Sequence, residues 1–177
     1  DASGYLRYME NQGSESLPDF HLLTVSYQNV FCGGWFHFAD FDSDGDLDLT
    51  AQNGDDPDHI SYFQNSGGEL AFIEVLLVIG GGYVTSSSVM TPTFSDIDND
   101  GDLDFFTGNM VGTLTYYENT GIFNNDLPQM EFITNTWEDI YIVGGTLTND
   151  RHGASAITFI DLDGDGDLDL SWGDYFQ

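Results

Sequence analysis

Two short strings recur along the chain, and their spacing restricts it to a repeat architecture. An acidic string reads D-F-D-S-D-G-D-L-D at 40–48, D-I-D-N-D-G-D-L-D at 96–104 and D-L-D-G-D-G-D-L-D at 161–169. A second string, apolar-x-Tyr-apolar-[Glu/Gln]-Asn-x-Gly, stands at 6–13, 60–67 and 114–121, so its copies start 54 residues apart. Repeats of this length are typical of solenoids, propellers and other arrays of one supersecondary unit.

Within each repeat the residue pattern indicates strands. Apolar residues alternate or form short runs rich in Phe, Tyr, Val, Ile and Thr, as at 20–27, 70–79 and 130–134. Asn-x-Gly and Gly-Gly pairs punctuate these runs as turns. Each repeat has room for about four short strands, the content of one propeller blade. We therefore predict an all-β chain of four-stranded antiparallel β-propeller blades.

The order of the two strings divides the chain into one propeller segment of four parts. Residues 1–13 are expected to end one blade, 14–67 and 68–121 to form two blades, and 122–177 to form an incomplete blade with a longer surface loop at 137–151. The second string follows the first two acidic strings by 20 and 18 residues, so its next copy would fall near residue 180. Residues 1–13 are the piece that the last repeat lacks.

About three repeats leave the ring incomplete, because a propeller normally needs at least four blades. We therefore expect further blades, either from the same longer chain or from another copy of this one.

The acidic string has the ligand spacing of a loop that wraps around a hard cation. Of its nine positions, 1, 3, 5, 7 and 9 are aspartates and position 6 is a glycine that permits a sharp bend. Side chains at odd positions converge, and position 7 offers its backbone carbonyl. The predicted metal ligands are Asp40, Asp42, Asp44, Asp46 and Asp48; Asp96, Asp98, Asp100, Asp102 and Asp104; and Asp161, Asp163, Asp165, Asp167 and Asp169.

Ligation by oxygen alone favours Ca²⁺. Mg²⁺ keeps water ligands in a strict octahedron, and zinc prefers His and Cys. An EF-hand is excluded because its loop needs a Glu at position 12, where this chain has Ala51, Thr107 and Trp172. A solvated acidic turn is the alternative, but three copies keep five aspartates and a glycine in register. We predict three Ca²⁺ sites.

The extended strings resemble a known family of repeats. F-A-D-F-D-S-D-G-D-L-D-L, F-S-D-I-D-N-D-G-D-L-D-F and F-I-D-L-D-G-D-G-D-L-D-L are similar to the calcium loops of FG-GAP/VCBS-type repeats, the blades of integrin-alpha-like β-propellers. The second string resembles the closing hairpin of such blades, and the resemblance covers essentially the whole chain. It implies a propeller of about six to eight blades, usually extracellular, with one Ca²⁺ in a loop that joins two strands of a blade.

The charge balance limits the partners. The chain has 31 acidic residues against two basic ones, Arg7 and Arg151, and a formal net charge of −29. Such a chain repels nucleic acid and anionic lipid, because phosphate binding needs Lys and Arg. No apolar run approaches the ~20 residues of a membrane span. With the single cysteine Cys32 no intrachain disulfide is possible, so packing or metal must supply stability.

The sequence favours a scaffold over an enzyme. Its candidate bases, His21, His37, His59 and His152, stand at unrelated places in the repeats, and no nucleophile or phosphate-binding motif is present. We predict a secreted or cell-surface, calcium-stabilised propeller for adhesion, recognition or assembly with a protein ligand.

Two alternatives stay open at this point. The first is a carbohydrate-binding, lectin-like propeller, for which Trp35, Trp137, Trp172 and Tyr175 are the aromatic candidates. The second is a non-catalytic accessory domain of a larger secreted enzyme. The repeated Tyr8, Tyr62 and Tyr116 are expected to pack within and between blades, since repeats must bury their faces against neighbours.

Overall fold

A computed structural model of the chain describes residues 3–87, 89–141 and 156–173. Thirteen strands occur in these ranges: β1 (Tyr8–Asn11), β2 (Phe20–Thr24), β3 (Phe36–Ala39), β4 (Asp48–Gln52), β5 (Ile60–Ser66), β6 (Glu69–Val75), β7 (Leu77–Val78), β8 (Thr93–Ser95), β9 (Asp104–Gly108), β10 (Leu114–Asn124), β11 (Leu127–Thr134), β12 (Ala156–Ile160) and β13 (Asp169–Gly173). Two 3-10 turns, Tyr27–Asn29 and Trp137–Asp139, are the described helical segments. No helix in the described ranges is long and apolar enough to cross a bilayer. The predicted all-β class is confirmed.

The strands form two complete sheets and two half-sheets. The first complete sheet has the order β3-β4-β5-β6, and every neighbouring pair in it is antiparallel. The second complete sheet has the order β8-β9-β10-β11, with β7 added in parallel to β11. The N-terminal half-sheet is the pair β1-β2, and the C-terminal half-sheet is the pair β12-β13. None of these sheets is closed on itself.

The two repeated strings occupy fixed places in this scheme. The acidic strings join β3 to β4, β8 to β9 and β12 to β13, while the second string lies on β1, β5 and β10. The half-sheets therefore correspond to different halves of a complete sheet: β12-β13 to its first two strands and β1-β2 to its last two. The predicted runs 20–27, 70–79 and 130–134 contain β2, most of β6 with β7, and part of β11.

The predicted boundary at residue 67 marks the end of a sequence repeat. The sequence repeats begin and end at different residues from the sheets. Hydrogen bonds join β5 to β6 across that boundary, so the two complete sheets run over residues 36–75 and 93–134. The division into 14–67 and 68–121 stays a prediction. Of the predicted surface loop at 137–151, only 137–141 lie inside the described ranges.

The hydrophobic core lies between neighbouring sheets. The largest cluster joins the two complete sheets through aromatic side chains, with Phe41 and Phe94 in edge contact at 4.9 Å between ring centroids. A second cluster packs residues that flank the N-terminal half-sheet, Leu6, Val30 and the buried Cys32, on the first complete sheet. A third packs the second complete sheet on β12 through Phe106 and Ile157. The complete sheets thus bury side chains against each other and against the segments next to them in the chain, as expected of stacked repeats.

Candidate metal centre

The three acidic loops share one backbone conformation. Position 6 has a positive φ in each, at 95° for Gly45, 100° for Gly101 and 99° for Gly166. Position 4 is also left-handed, with φ of 59°, 61° and 82° in the three loops. Residues with a Cβ rarely adopt φ near 100°, so the glycine at position 6 is required by the bend rather than by the space around it.

Aspartate side chains hold this conformation from inside the loop. The carboxylate at position 1 accepts a hydrogen bond from the backbone N–H at position 6, at 3.1, 3.1 and 3.0 Å in the three loops. The carboxylate at position 5 accepts one from the N–H at position 7, at 2.8, 3.0 and 2.9 Å. These hydrogen bonds tie two carboxylates of each loop to its own backbone.

Three carboxylate clusters result. Their oxygens lie within 4.8 Å of one another in the sets Asp40, Asp42 and Asp44; Asp96, Asp98 and Asp100; and Asp161, Asp163 and Asp169. Of the other predicted ligands, Asp46, Asp102 and Asp167 were expected to act through the backbone, and Asp48, Asp104 and Asp165 lie outside these clusters. The clusters are chemically able to hold a hard cation, because they offer oxygen donors only.

Asp40 provides an observation beyond the clustering. Its Oδ2 accepts the hydrogen bond from Gly45, but its Oδ1 is buried and lacks a hydrogen-bond partner. Among the described residues, one other buried side-chain atom, Trp35 Nε1, also lacks a hydrogen-bond partner. A buried carboxylate oxygen without a donor is costly, and a bound cation would satisfy it.

In the two complete sheets, the aspartates at position 9 accept hydrogen bonds from the neighbouring strand. Asp48 and Asp104 are 0% and 1% exposed. In the first complete sheet, Tyr62 donates its hydroxyl to Asp48 Oδ2 at 2.8 Å, and the Asn65 N–H donates to Oδ1 at 2.8 Å. The Phe41 N–H adds a third hydrogen bond to Oδ2 at 3.3 Å.

The second complete sheet repeats this set around Asp104. Tyr116 donates its hydroxyl to Oδ2 at 3.3 Å, and the Asn119 N–H donates to Oδ1 at 2.8 Å. Burial raises the pKa of Asp104 to about 6, although these hydrogen bonds act to lower it. Burial also raises the pKa of Asp48. Burial and then the nearby carboxylate raise the pKa of Tyr62 and Tyr116, so both remain hydroxyl donors.

The second string is therefore a clamp on the acidic loop that precedes it. Besides the Tyr and Asn contacts, the Gly67 N–H donates to Asp46 Oδ2 at 2.7 Å, and Gln64 Nε2 donates to Asp42 Oδ2 at 2.8 Å. Asn65 Nδ2 also reaches the Leu47 carbonyl at 2.9 Å. The two strings did not by themselves predict this link between loop and strand. The signal that could have found it is the near-constant distance between the two strings.

The third loop differs because no second string follows it in the described residues. Asp169, the counterpart of Asp48 and Asp104, is exposed and belongs to the carboxylate cluster of its own loop. It keeps the hydrogen bond from within the loop, donated by the Leu162 N–H to Oδ2 at 3.1 Å. Among the described residues, Asp169 receives no tyrosine hydroxyl or asparagine N–H like those that reach Asp48 and Asp104.

The remaining candidates lie away from the loops or in the core. His21 is 3.1 Å from Asp19 and His59 is 3.7 Å from Asp56, while His37 packs on Phe94. His152, Arg151 and Tyr175 lie outside the described residues.

The aromatic candidates divide between core and surface. Trp35 is buried, and Trp137 packs on Phe106 and Phe159. Trp172 is exposed. Of the repeated tyrosines, Tyr62 and Tyr116 are buried as expected, whereas Tyr8 is 40% exposed.

Comparison with known proteins identifies the repeat. The family model described as FG-GAP-like repeat matches residues 40–107 and again 96–172. Each match includes two acidic loops, and between them lie β4, β5 and β6 in the first match and β9, β10 and β11 in the second. No curated protein and no solved structure gives a significant match to the chain.

Proposed function

Because the chain belongs to the FG-GAP-like repeat family, whose repeats are β-propeller blades, we propose that it is a calcium-stabilised propeller scaffold for protein interaction and assembly outside the cell. The family match supports the blade architecture and a protein-interaction role. The calcium sites, the extracellular location and the absence of catalysis are parts of the proposal.

The observation that carries the calcium proposal is the convergence of carboxylates around an oxygen without a donor. In the first loop Asp40, Asp42 and Asp44 bring their oxygens together, and Asp40 Oδ1 is buried and unpaired. Ca²⁺ takes six to eight oxygen ligands and accepts carboxylates, carbonyls and water, which fits this donor set. Asp48 and the Asp46 carbonyl are the further proposed ligands, and the corresponding residues serve the other loops.

A bound cation would supply positive charge where the loops concentrate negative charge. Three Ca²⁺ ions would bring the formal charge of the chain from −29 to −23. Since a folded loop binds the ion and an unfolded loop does not, binding stabilises the native state by mass action. The proposed role of the metal is therefore to hold the turn between the first two strands of each blade.

Thermal unfolding with and without chelator tests the calcium proposal. We expect EDTA to lower the melting temperature by several degrees, and excess CaCl₂ to restore it. In the variant Asp40→Asn/Asp96→Asn/Asp161→Asn, calcium should no longer raise the melting temperature. The matched control is Glu15→Gln/Glu69→Gln/Glu131→Gln, which removes the same charge at exposed positions outside the loops and should retain the calcium response. An unchanged melt in EDTA would contradict the proposal.

A further inference from the structure

A side chain occupies part of the outer edge of the first complete sheet. β6 is the last strand of that sheet, and in the described ranges no strand lies beyond it. The side-chain amide of Gln28 reaches this edge from the segment between β2 and β3. Its Nε2 donates to the Gly68 carbonyl at 2.7 Å, and its Oε1 accepts the Leu70 N–H at 2.7 Å. A primary amide thus gives the edge one donor and one acceptor, as a residue of a paired strand does.

We propose that Gln28 takes the place of a neighbouring strand and keeps the outer edge of β6 from pairing with the same edge of a second copy of this chain. Unpaired strand edges are templates for association, and two identical edges can pair about a twofold axis. This inference goes beyond the proposed scaffold function, because it concerns how the chain avoids self-association rather than what it binds.

The alternation of backbone groups along β6 shows what this edge offers. In an antiparallel pair, every second residue points its N–H and C=O away from the neighbouring strand. The Leu70 N–H points outward to Gln28, so that of Phe72, two residues further on, points outward as well. Between them, Ala71 pairs with Gln64 on β5. The Phe72 side chain is 53% exposed, so the centre of the edge is accessible.

Acidic side chains protect the far end of this edge. The Leu76 N–H bonds inward to the Ile60 carbonyl, so that of Val75 points outward, where the Glu74 carboxylate accepts it at 3.2 Å. Glu69 and Glu74 are both exposed on β6. A second copy carries the same charges, on a chain whose net charge is −29. Charge on an exposed edge strand opposes its pairing with a like-charged edge.

The equivalent edge of the second complete sheet accepts a strand of the same chain. There the segment that follows β6 adds β7 in parallel to the outer edge of β11. The Ile79 N–H extends this contact to the Met130 carbonyl at 2.8 Å. The segment that follows β2 reaches the outer edge of β6 but forms the 3-10 turn Tyr27–Asn29. Both segments therefore cover an outer edge of the next sheet, one with a strand and the other with the Gln28 side chain.

The backbone at Gln28 gives an independent reason. Gln28 has φ of 48° and ψ of 21°, and Asn29 has φ of 58°, so both are left-handed. Residues with a Cβ rarely adopt this conformation, and it persists where the surrounding contacts hold it in place. The Tyr27 hydroxyl also donates to the Gly68 carbonyl, at 3.4 Å. Two consecutive side chains thus hold the turn against the hairpin between β5 and β6.

Amide hydrogen exchange tests the contact. In saturating calcium, Gln28→Ala should make the Leu70 amide hydrogen exchange about tenfold faster, because its acceptor is lost. The Ala71 amide, which faces β5, should stay slow and shows that the sheet is intact. The matched control is Gln12→Ala, at an exposed glutamine whose amide donates to Glu10, and it should leave Leu70 unchanged. Equal Leu70 exchange in Gln28→Ala and the unmodified chain would overturn the proposal.

Light scattering tests the consequence for self-association. At about 0.3 M NaCl, which screens the net charge, Gln28→Ala/Glu74→Ala should have an average mass that rises with protein concentration, toward twice that of the unmodified chain. Adding Phe72→Pro removes the outward N–H at the centre of the edge and should return the mass to that of the unmodified chain. Proline is tolerated in an edge strand where the N–H faces away from the sheet.

Two outcomes of the scattering experiment count against the proposal. One is a mass equal to that of the unmodified chain at every concentration of Gln28→Ala/Glu74→Ala. The other is a rise in mass that Phe72→Pro leaves in place. The melt in EDTA is a separate experiment, so the calcium sites and the closed edge of β6 can fail independently.

Discussion

At the scale of single residues, the position-9 aspartate and the repeated tyrosine are the central pair. Asp48 is a fully buried carboxylate whose charge is stabilised by hydrogen bonds from Tyr62, Asn65 and Phe41. A buried charge is costly unless it is hydrogen-bonded, so the repeat keeps donor and acceptor together. The repeated tyrosine is therefore both a core side chain and a polar contact.

Removal of one donor measures this contact. Tyr62→Phe keeps the ring in the core and deletes the hydroxyl that donates to Asp48, so we expect a loss of about 1–3 kcal/mol in the free energy of unfolding. Urea denaturation in saturating calcium is the measurement. Tyr83→Phe, at a ring that is 49% exposed, is the control and should cost little. Equal stability of Tyr62→Phe and the unmodified chain would refute the role of this hydrogen bond.

A second prediction at this scale concerns pH and His37. Burial lowers the pKa of His37 below 6.5, so the unfolded chain takes up a proton at this residue more readily than the folded one. Its contribution to stability is complete above pH 6.5 and is lost as the pH falls through the lower, folded-state value. In saturating calcium, His37→Gln should reduce the loss of unfolding free energy between about pH 7.5 and about pH 5. Identical pH slopes for the variant and the unmodified chain would contradict the assignment.

Spacing in the sequence predicted that carboxylates of each loop converge, but not which of them do, nor what the position-9 aspartates contact: position 5 completes the cluster in the first two loops and position 9 completes it in the third. Asp40, Asp42 and Asp44 form a cluster because a nine-residue loop with a glycine bend brings its odd positions together. The contacts of Asp48 depend on strand pairing with residues 60–66, which a local pattern does not contain. Asp169 has the same local sequence but different surroundings.

At the scale of the structural element, the acidic loop is the unit that most depends on one backbone geometry. Gly45 has φ of 95°, and a Cβ added there would meet nothing within 4 Å, so any cost of a side chain is conformational. We expect Gly45→Ala to lower the free energy of unfolding by about 1–2 kcal/mol.

The matched control for that substitution lies two residues earlier. Ser43 also has a positive φ, of 59°, and the third loop carries Gly164 at the same position. Ser43→Gly should therefore be tolerated in the same urea titration. If the two variants are equally stable, the strained position is not the one that the φ values indicate.

Element identity was predictable, but sheet boundaries were not. Alternation and turn residues predicted β2, β6 and β11, because side-chain period and turn chemistry are local properties. The phase of the sheets depends on which neighbouring strands pair, and a repeat reads the same from any starting point. The strand β7 is two residues long and pairs in parallel with β11, and it has no sequence signal of its own.

At the scale of the whole molecule, the net charge of −29 opposes folding through electrostatic self-repulsion. Self-repulsion destabilises a compact chain, and salt screens it, with a Debye length of about 10 Å at 0.1 M. In EDTA we expect the melting temperature to rise as NaCl increases from about 0.05 M to about 0.5 M. With calcium bound the rise should be smaller, because the ions neutralise the densest charge. A salt response that calcium leaves unchanged would contradict this view of the loops.

The clamp between each acidic loop and the string that follows it has a consequence for how such chains can be divided and recombined. A cut between residues 52 and 60 parts Asp48 from Tyr62 and Asn65 and removes two of the three hydrogen bonds that its carboxylate accepts, leaving the one from the Phe41 N–H. A cut just after residue 75 leaves the pair whole. A cassette that keeps these contacts between loop and second string when it is moved between repeat proteins is therefore a complete sheet, residues 36–75 or 93–134.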